Sequence, residues 1–154
     1  DYYDIEFKTF ESRLDDETAD ILLHETDVVL DGSDNFDTKL LINQTCVRKN
    51  IPWVYASVAG EEGTVMPVIP GVTPCLHCRI FNRPEEEITI DQIGAIGPIV
   101  SMIASMQALE ALKILLNRPL DEIHAGMWHY DVWNGIITPG SRERFDRCPM
   151  CKDK

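Results

Sequence analysis

Positive charge is scarce in this chain. Its 14 lysines and arginines stand against 26 aspartates and glutamates, for a formal net charge of −12 at pH 7. That balance repels phosphate backbones and anionic bilayers, so neither nucleic acid nor a membrane surface is expected as a partner. Long apolar runs are missing too, and none approaches the roughly 20 residues that span a bilayer. No signal peptide opens the sequence and nothing in it points to export, so a cytoplasmic protein is expected. The phosphate cradles G-x-G-x-x-G and G-K-[ST] are absent, and GAIGP has two glycines without the pattern. Spacing assembles no Ser-His-Asp system. His24 falls in a predicted helix, and His124 and His129 flank or occupy a strand region. No repeat, low-complexity tract or long linker interrupts the 154 residues, which are enough for one domain with a core.

What is present begins with cysteine. PCLHC pairs Cys75 with Cys78, and CPMC pairs Cys148 with Cys151. Two separate C-x-x-C pairs read as four thiolates around one zinc, a closed tetrahedral shell with no position left for water. Such a metal is structural. It closes a loop of roughly 70 residues, which removes a few kcal/mol of chain entropy on the scale established for disulfides. It also fastens a polar tail that has little other reason to stay folded. The fifth cysteine, Cys46, lies on an apolar helical pattern and reads as a small buried hydrophobe.

Periodicity supplies the elements. ETADILLHETD predicts a short helix with Ala19, Leu22 and Leu23 inward. VVL then reads as a buried strand ending in Asp31, Gly32, Ser33, Asp34 and Asn35, and DTKLLINQTCVRKN as a helix capped by Asp37 or Thr38. IPWVYASVAG is the next strand. GTVMPVIPG, with two prolines, predicts an edge or irregular strand. The polar stretch 82–91 reads as an exposed loop. GAIGPIVSMIASMQALEALKILLN predicts a long helix with Pro98 in its first turn. Ile99, Met102, Ile103, Met106, Leu109, Ala111, Leu112, Leu115 and Leu116 make it apolar around much of its circumference. It is therefore expected to be mostly buried, in the core or against a second copy in a homodimer. Asn134-Gly135 predicts a hairpin turn near the end.

Asp31, Asp34 and Asn35 are the candidate ligand group. Ligands of α/β sheets bind beyond the carboxyl ends of strands, and a carboxylate there suits Mg²⁺ with substrate phosphates. The competing reading makes Asp34 and Asn35 turn and helix-cap residues only.

Taken in order, VVLDGSDNFDTKLLINQTCVRKNIPWVYASVAGEEGTVMPVIPG, PCLHCRIF, GAIGPIVSMIASMQALEALKILL and CPMC resemble the ThiF/MoeB/HesA family, relatives of the ubiquitin-activating enzymes. The resemblance covers essentially residues 1–154. It implies an α/β fold, the C-terminal part of a Rossmann-like domain with a mixed sheet and a zinc-pinned tail. It implies ATP and Mg²⁺, and adenylation of the C-terminal carboxylate of a ubiquitin-like sulfur-carrier protein for thiamine or molybdopterin synthesis. Asp31 falls on the first Asp of the family's D-G-x-D-N, beside magnesium and phosphates, and the family's zinc ligands fall on Cys75, Cys78, Cys148 and Cys151. The family's glycine-rich loop lies upstream of the matching region, so this chain is expected to be a C-terminal portion that contacts a missing N-terminal half and is inactive alone. Where many members carry a cysteine before G-x-x-x-P, this chain has Ile90, which leaves adenylation as the expected step. An alternative stays open: a non-catalytic, zinc-stabilised module that binds a ubiquitin-like protein or a catalytic partner subunit.

Overall fold

The computed structural model describes residues 5–80, 93–146 and 148–151. Its strands are β1 (Val29–Leu30), β2 (Trp53–Ala59), β3 (Glu62–Val68), β4 (Trp128–Asp131) and β5 (Ile136–Thr138). They lie side by side in chain order in one five-stranded sheet. β1 and β2 are parallel, so the chain must cross over between them, and helix α2 (Phe36–Lys49) is the crossover. The remaining pairs are antiparallel. The mixed α/β architecture expected from the sequence is the one observed.

β2 reads apolar throughout because both of its faces are covered. Trp53 and Tyr55 join α2 residues Ile42, Cys46 and Val47, together with Leu76 and three of the paired cysteines. Val54 and Ala56 point the other way, into a cluster with Ile99, Ile103 and Tyr130. The second cluster exists because helix α3 (Gly97–Leu115) lies on β2 and β3. Its approach needs Gly63, since a Cβ there would run into the Ile103 side chain.

Three expectations are corrected. GTVMPVIPG is an edge only in its second half: β3 pairs with β2 along its length and with β4 from Glu62 to Val65, which leaves Met66–Val68 without a β4 partner. Pro67 is tolerated because it lies past the last β4 pair, Val65 with Trp128, where no β4 ladder needs its N–H. The cap of α2 is Asn35, whose side-chain oxygen accepts from Thr38 N–H at 2.9 Å, and not Asp37 or Thr38. Finally, α3 is not mostly buried within this chain. By length and composition it is apolar enough to cross a membrane, yet it lies on the sheet with Ile99, Ile103, Gln107, Glu110 and Ala111 inward. Leu112 is 55% and Leu116 70% exposed, and Leu109 and Leu115 are exposed with them. The sheet covers one side of α3, and no described residue covers that leucine face.

The short elements behave as read. α1 (Ala19–Leu22) buries Ala19, and Gly135 takes a positive φ of 68° in the β4–β5 turn. After β5 the tail passes so close to the chain entering β4 that a Cβ on Gly140 would meet the Met127 backbone. Gly140 thereby directs the tail back toward Cys75 and Cys78.

Candidate functional site

Two constellations stand apart, one at the carboxyl ends of β1 and β2 and one beneath α2. The first is built around Asp31. Its N–H makes the last β1–β2 backbone bond, to Val54 O at 3.1 Å. Its carboxylate is wholly enclosed, with 0% side-chain exposure. Oδ1 accepts from Ser33 N–H at 2.9 Å and from Ser33 Oγ–H at 2.6 Å. Oδ2 accepts from Lys39 Nζ at 2.9 Å. From the opposite face, Gln107 Nε2 donates to Asp31 O and Val54 O, both at 2.8 Å. Beside this knot opens a pocket of about 280 Å³. Residues 31–34 form one wall, Ala56, Ser57, Val58 and Ala59 the other, and α3 contributes Val100, Ile103 and Gln107.

The sequence-derived candidates separate here. Asp31 and Asp34 both line the pocket. Asn35 turns its oxygen to Thr38 N–H and its amide to Asp34 Oδ1 at 3.1 Å, the arrangement of a cap. Two residues went unnoticed in the sequence, Lys39 and Gln107, both buried. A signal was there to find. Lys39 lies three, four and seven residues before Ile42, Asn43 and Cys46, on the buried face of α2, and Gln107 lies four residues after Ile103 on that of α3.

The carboxylate at the strand end suits a hydrated Mg²⁺. With two donors already on Oδ1 and one on Oδ2, Asp31 retains one acceptor position on Oδ2. Asp34, exposed on the same pocket, adds a second carboxylate. Mg²⁺ keeps several waters and asks only one or two carboxylates of a protein.

The second constellation is the cysteine cluster. The four Sγ atoms of Cys75, Cys78, Cys148 and Cys151 lie within 4.8 Å of one another. Cys75 is 3.8 Å from Cys78 and 3.6 Å from Cys148, and Cys78 is 3.4 Å from Cys151. Four thiolates at about 2.3 Å from a zinc form a tetrahedron with edges of about 3.8 Å, so this donor set fits the metal. The supports are specific. Asn43 of α2 accepts Leu76 N–H at 3.0 Å and so holds the 3-10 turn Leu76–Cys78. Arg79 donates to Ser141 O and Glu143 O, and Arg144 to Gly71 O and Cys151 O, lashing the tail to the segment from Gly71 to Arg79. Burial pushes the Cys75 and Cys151 thiols above their usual range. At Cys78 burial also acts upward, but hydrogen bonds from the Phe145 backbone and Cys151 outweigh it and the thiol is held low. Cys46 takes no part: it is fully buried, and desolvation pushes its thiol up to about 12.

A polar cluster behind the sheet completes the picture. Glu110 is fully buried, with Oε1 2.6 Å from Lys113 Nζ and 2.7 Å from His124 Nδ1, while Oε2 accepts His124 N–H at 2.9 Å. His124 is thus a packing residue paired to a helix.

A strand-end acid, a mixed sheet and a four-cysteine centre in this order carry a family signature, and the ThiF family matches residues 2–150. The chain belongs to the ThiF family. Among ThiF-family proteins it is 32% identical over 135 residues to the sulfur carrier protein ThiS adenylyltransferase of Bacillus subtilis, covering 86% of this chain and 39% of that protein. To the enzyme of the same name from Escherichia coli it is 31% identical over 151 residues, covering 96% of this chain and 59% of that one. The chain therefore spans roughly two-fifths to three-fifths of the length of these relatives. A crystal structure of E. coli MccB with ATP superposes with a TM-score of 0.75 at 19% identity, over 94% of this chain and 45% of that one, a likeness of fold. Ile90 and the stretch 82–91, expected as a loop, lie outside the described residues.

Proposed function

We propose that the protein to which this chain belongs adenylates the C-terminal carboxylate of a ubiquitin-like sulfur-carrier protein, at the expense of ATP, for thiamine or molybdopterin synthesis. The observation that supports this most is the pocket of about 280 Å³ at the carboxyl end of β1, lined by Asp31 and Asp34, with the Asp31 carboxylate enclosed behind its wall. ThiF-family relatives named as adenylyltransferases support the reaction class.

In this reading the carrier's carboxylate displaces pyrophosphate from the α-phosphorus of ATP. Aligning the groups and neutralising charge matter more here than a nucleophilic side chain. Mg²⁺ supplies charge neutralisation for the phosphates when bound. Asp34, exposed on the pocket, would hold it, and the enclosed Asp31 would add its remaining Oδ2 acceptor only where the pocket wall gives way. The enclosed Asp31–Lys39 pair is neutral as a unit, so it does not repel an incoming carboxylate or phosphate as a lone buried aspartate would. Zinc on the four cysteines holds the tail in place and takes no part in the reaction. The exposed leucine face of α3 is assigned to the upstream half of the protein or to a second copy in a homodimer. With no G-x-G-x-x-G of its own, this chain alone binds ATP weakly.

The test is carrier-dependent ATP–pyrophosphate exchange by the full-length protein and its Asp31→Ala variant. Exchange that is lost in a folded Asp31→Ala protein supports the reading. Near-normal exchange in that variant at limiting Mg²⁺ overturns the role of Asp31. Absence of exchange in the wild type, with carrier binding retained, moves the protein to a non-catalytic binding module.

A further inference from the structure

β1 ends at Leu30, whereas its neighbour β2 runs on to Ala59. On the edge of β2 that faces β1, Pro52 O accepts Val29 N–H at 3.0 Å and Val54 O accepts Asp31 N–H at 3.1 Å. The next carbonyl on that edge is Ala56 O, and continued parallel register would present it with Ser33 N–H. Ser33 N–H is instead turned back onto Asp31 Oδ1. Ala56 O receives Lys39 Nζ at 2.8 Å, and the same ammonium holds Ser33 O at 2.7 Å and Asp31 Oδ2 at 2.9 Å.

We propose that Lys39 is the positioning residue of this site: a buried ammonium that replaces the missing rung of the β1–β2 ladder, holds the two strands apart where the pocket opens, and sets which oxygen of Asp31 can face a cation. All three ammonium protons are used and the side chain is 6% exposed, so Lys39 does not itself reach a pocket ligand. Its backbone is anchored by Ile42, Asn43 and Cys46 on the buried face of α2, and Nζ sits 5.3 Å from the Tyr55 ring centroid. Residues 31–34 and 56–59, the pocket's two walls, are the segments the ammonium spans. With Oδ1 taken by Ser33, a divalent cation is left with the Oδ2 position beside a positive charge. Lys39 therefore orients the Asp31 carboxylate and, as a positive charge 2.9 Å from Oδ2, would weaken a Mg²⁺ that reached it.

The kinetic half of this inference rests on the adenylation reading, and the structural half stands without it. Lys39→Gln and Lys39→Arg are made in the full-length protein. In metal-free Lys39→Gln, Ser33 amide protection against hydrogen exchange is expected to fall at least tenfold, and Lys39→Arg, which keeps the charge, retains most of it. In pyrophosphate exchange, Lys39→Gln is expected to lower kcat at least tenfold with a small change in KM for ATP, and to lower the half-saturating Mg²⁺ concentration. A folded Lys39→Gln protein with wild-type Ser33 protection and wild-type kcat overturns the proposal. If Lys39→Gln does not fold, the wild type decides by NMR of its Lys39 ammonium protons. Protection from exchange with water, unchanged on adding MgATP, supports the assignment, and rapid exchange or a shift toward bound nucleotide overturns it. A wild type without exchange activity removes the adenylation reading alone, since Ser33 protection and the ammonium signal still test Lys39.

Discussion

Gln107, on α3, and Asp31, at the end of β1, are joined through the Asp31 carbonyl. The Gln107 amide donates to it and to Val54 O at 2.8 Å each, tying the last pair of the β1–β2 ladder to the helix on the opposite face from Lys39. Gln107→Leu keeps the volume and removes both donors. Val54 O keeps its bond from Asp31 N–H, whereas Asp31 O loses its one partner among the described residues. A buried carbonyl left unsatisfied costs about 1–3 kcal/mol. Urea unfolding should show a loss of that size, and a change below about 0.5 kcal/mol would remove Gln107 from the account of the site.

The cysteine centre predicts one zinc per chain by elemental analysis. Metal binding requires thiolates, and burial raises Cys75 and Cys151, so protons compete with the metal. Zinc affinity should fall as pH is lowered, and a chelator competition at two pH values measures the slope. Cys148→Ser should expose residues 141–151 to protease before the β1–β2 region loosens. Metal-free protein with four freely titrating thiols and an unchanged fold would contradict the assignment.

Glu110 is expected to be a stability residue rather than a site residue. Glu110→Ala leaves the His124 N–H unpartnered and strips Lys113 of its counter-ion. Breaking a buried pair costs roughly 3–5 kcal/mol, and the lower end applies because Lys113 and His124 keep some contact with water. A thermal melt should show the loss, with Mg²⁺ dependence unchanged in the full-length protein.

The hairpin carries a pH dependence of definite sign. Asp131 accepts from Asn134 N–H at 2.9 Å and from Asn134 Nδ2 at 2.8 Å, and these bonds hold its carboxyl below the usual range. A carboxyl lowered by folding contributes stability above the ordinary value of about 3.9, and that contribution is lost as pH falls through the folded value. Amide signals of Trp133 and Asn134 should therefore stay constant from pH 7 to about pH 5 and change only in stronger acid. Asn134→Ala removes only the side-chain donor and should move that transition to higher pH.

Much of the architecture was local enough to read directly. Two C-x-x-C pairs announce a four-thiolate centre whatever lies between them, because ligand chemistry depends on residue type and short spacing. Pro98 at the start of α3 and Asn134-Gly135 in the hairpin are set by backbone sterics within a few residues. Asp31 was legible as the last residue of an apolar strand. Other features required the fold. GTVMPVIPG looked like an edge because prolines break ladders, and only the register showed that Pro67 lies past the β4 partner. The leucines of α3 looked buried because periodicity reports an apolar face but not what covers it. Lys39 and Gln107 looked like ordinary helical polar residues. Sequence alone determined which chemistries this chain holds, a zinc-type thiolate set and a strand-end acid. Tertiary structure decided that one lysine completes an interrupted ladder and pairs with that acid, because Ala56 lies 17 residues from Lys39 and meets it only when the crossover helix packs against β2.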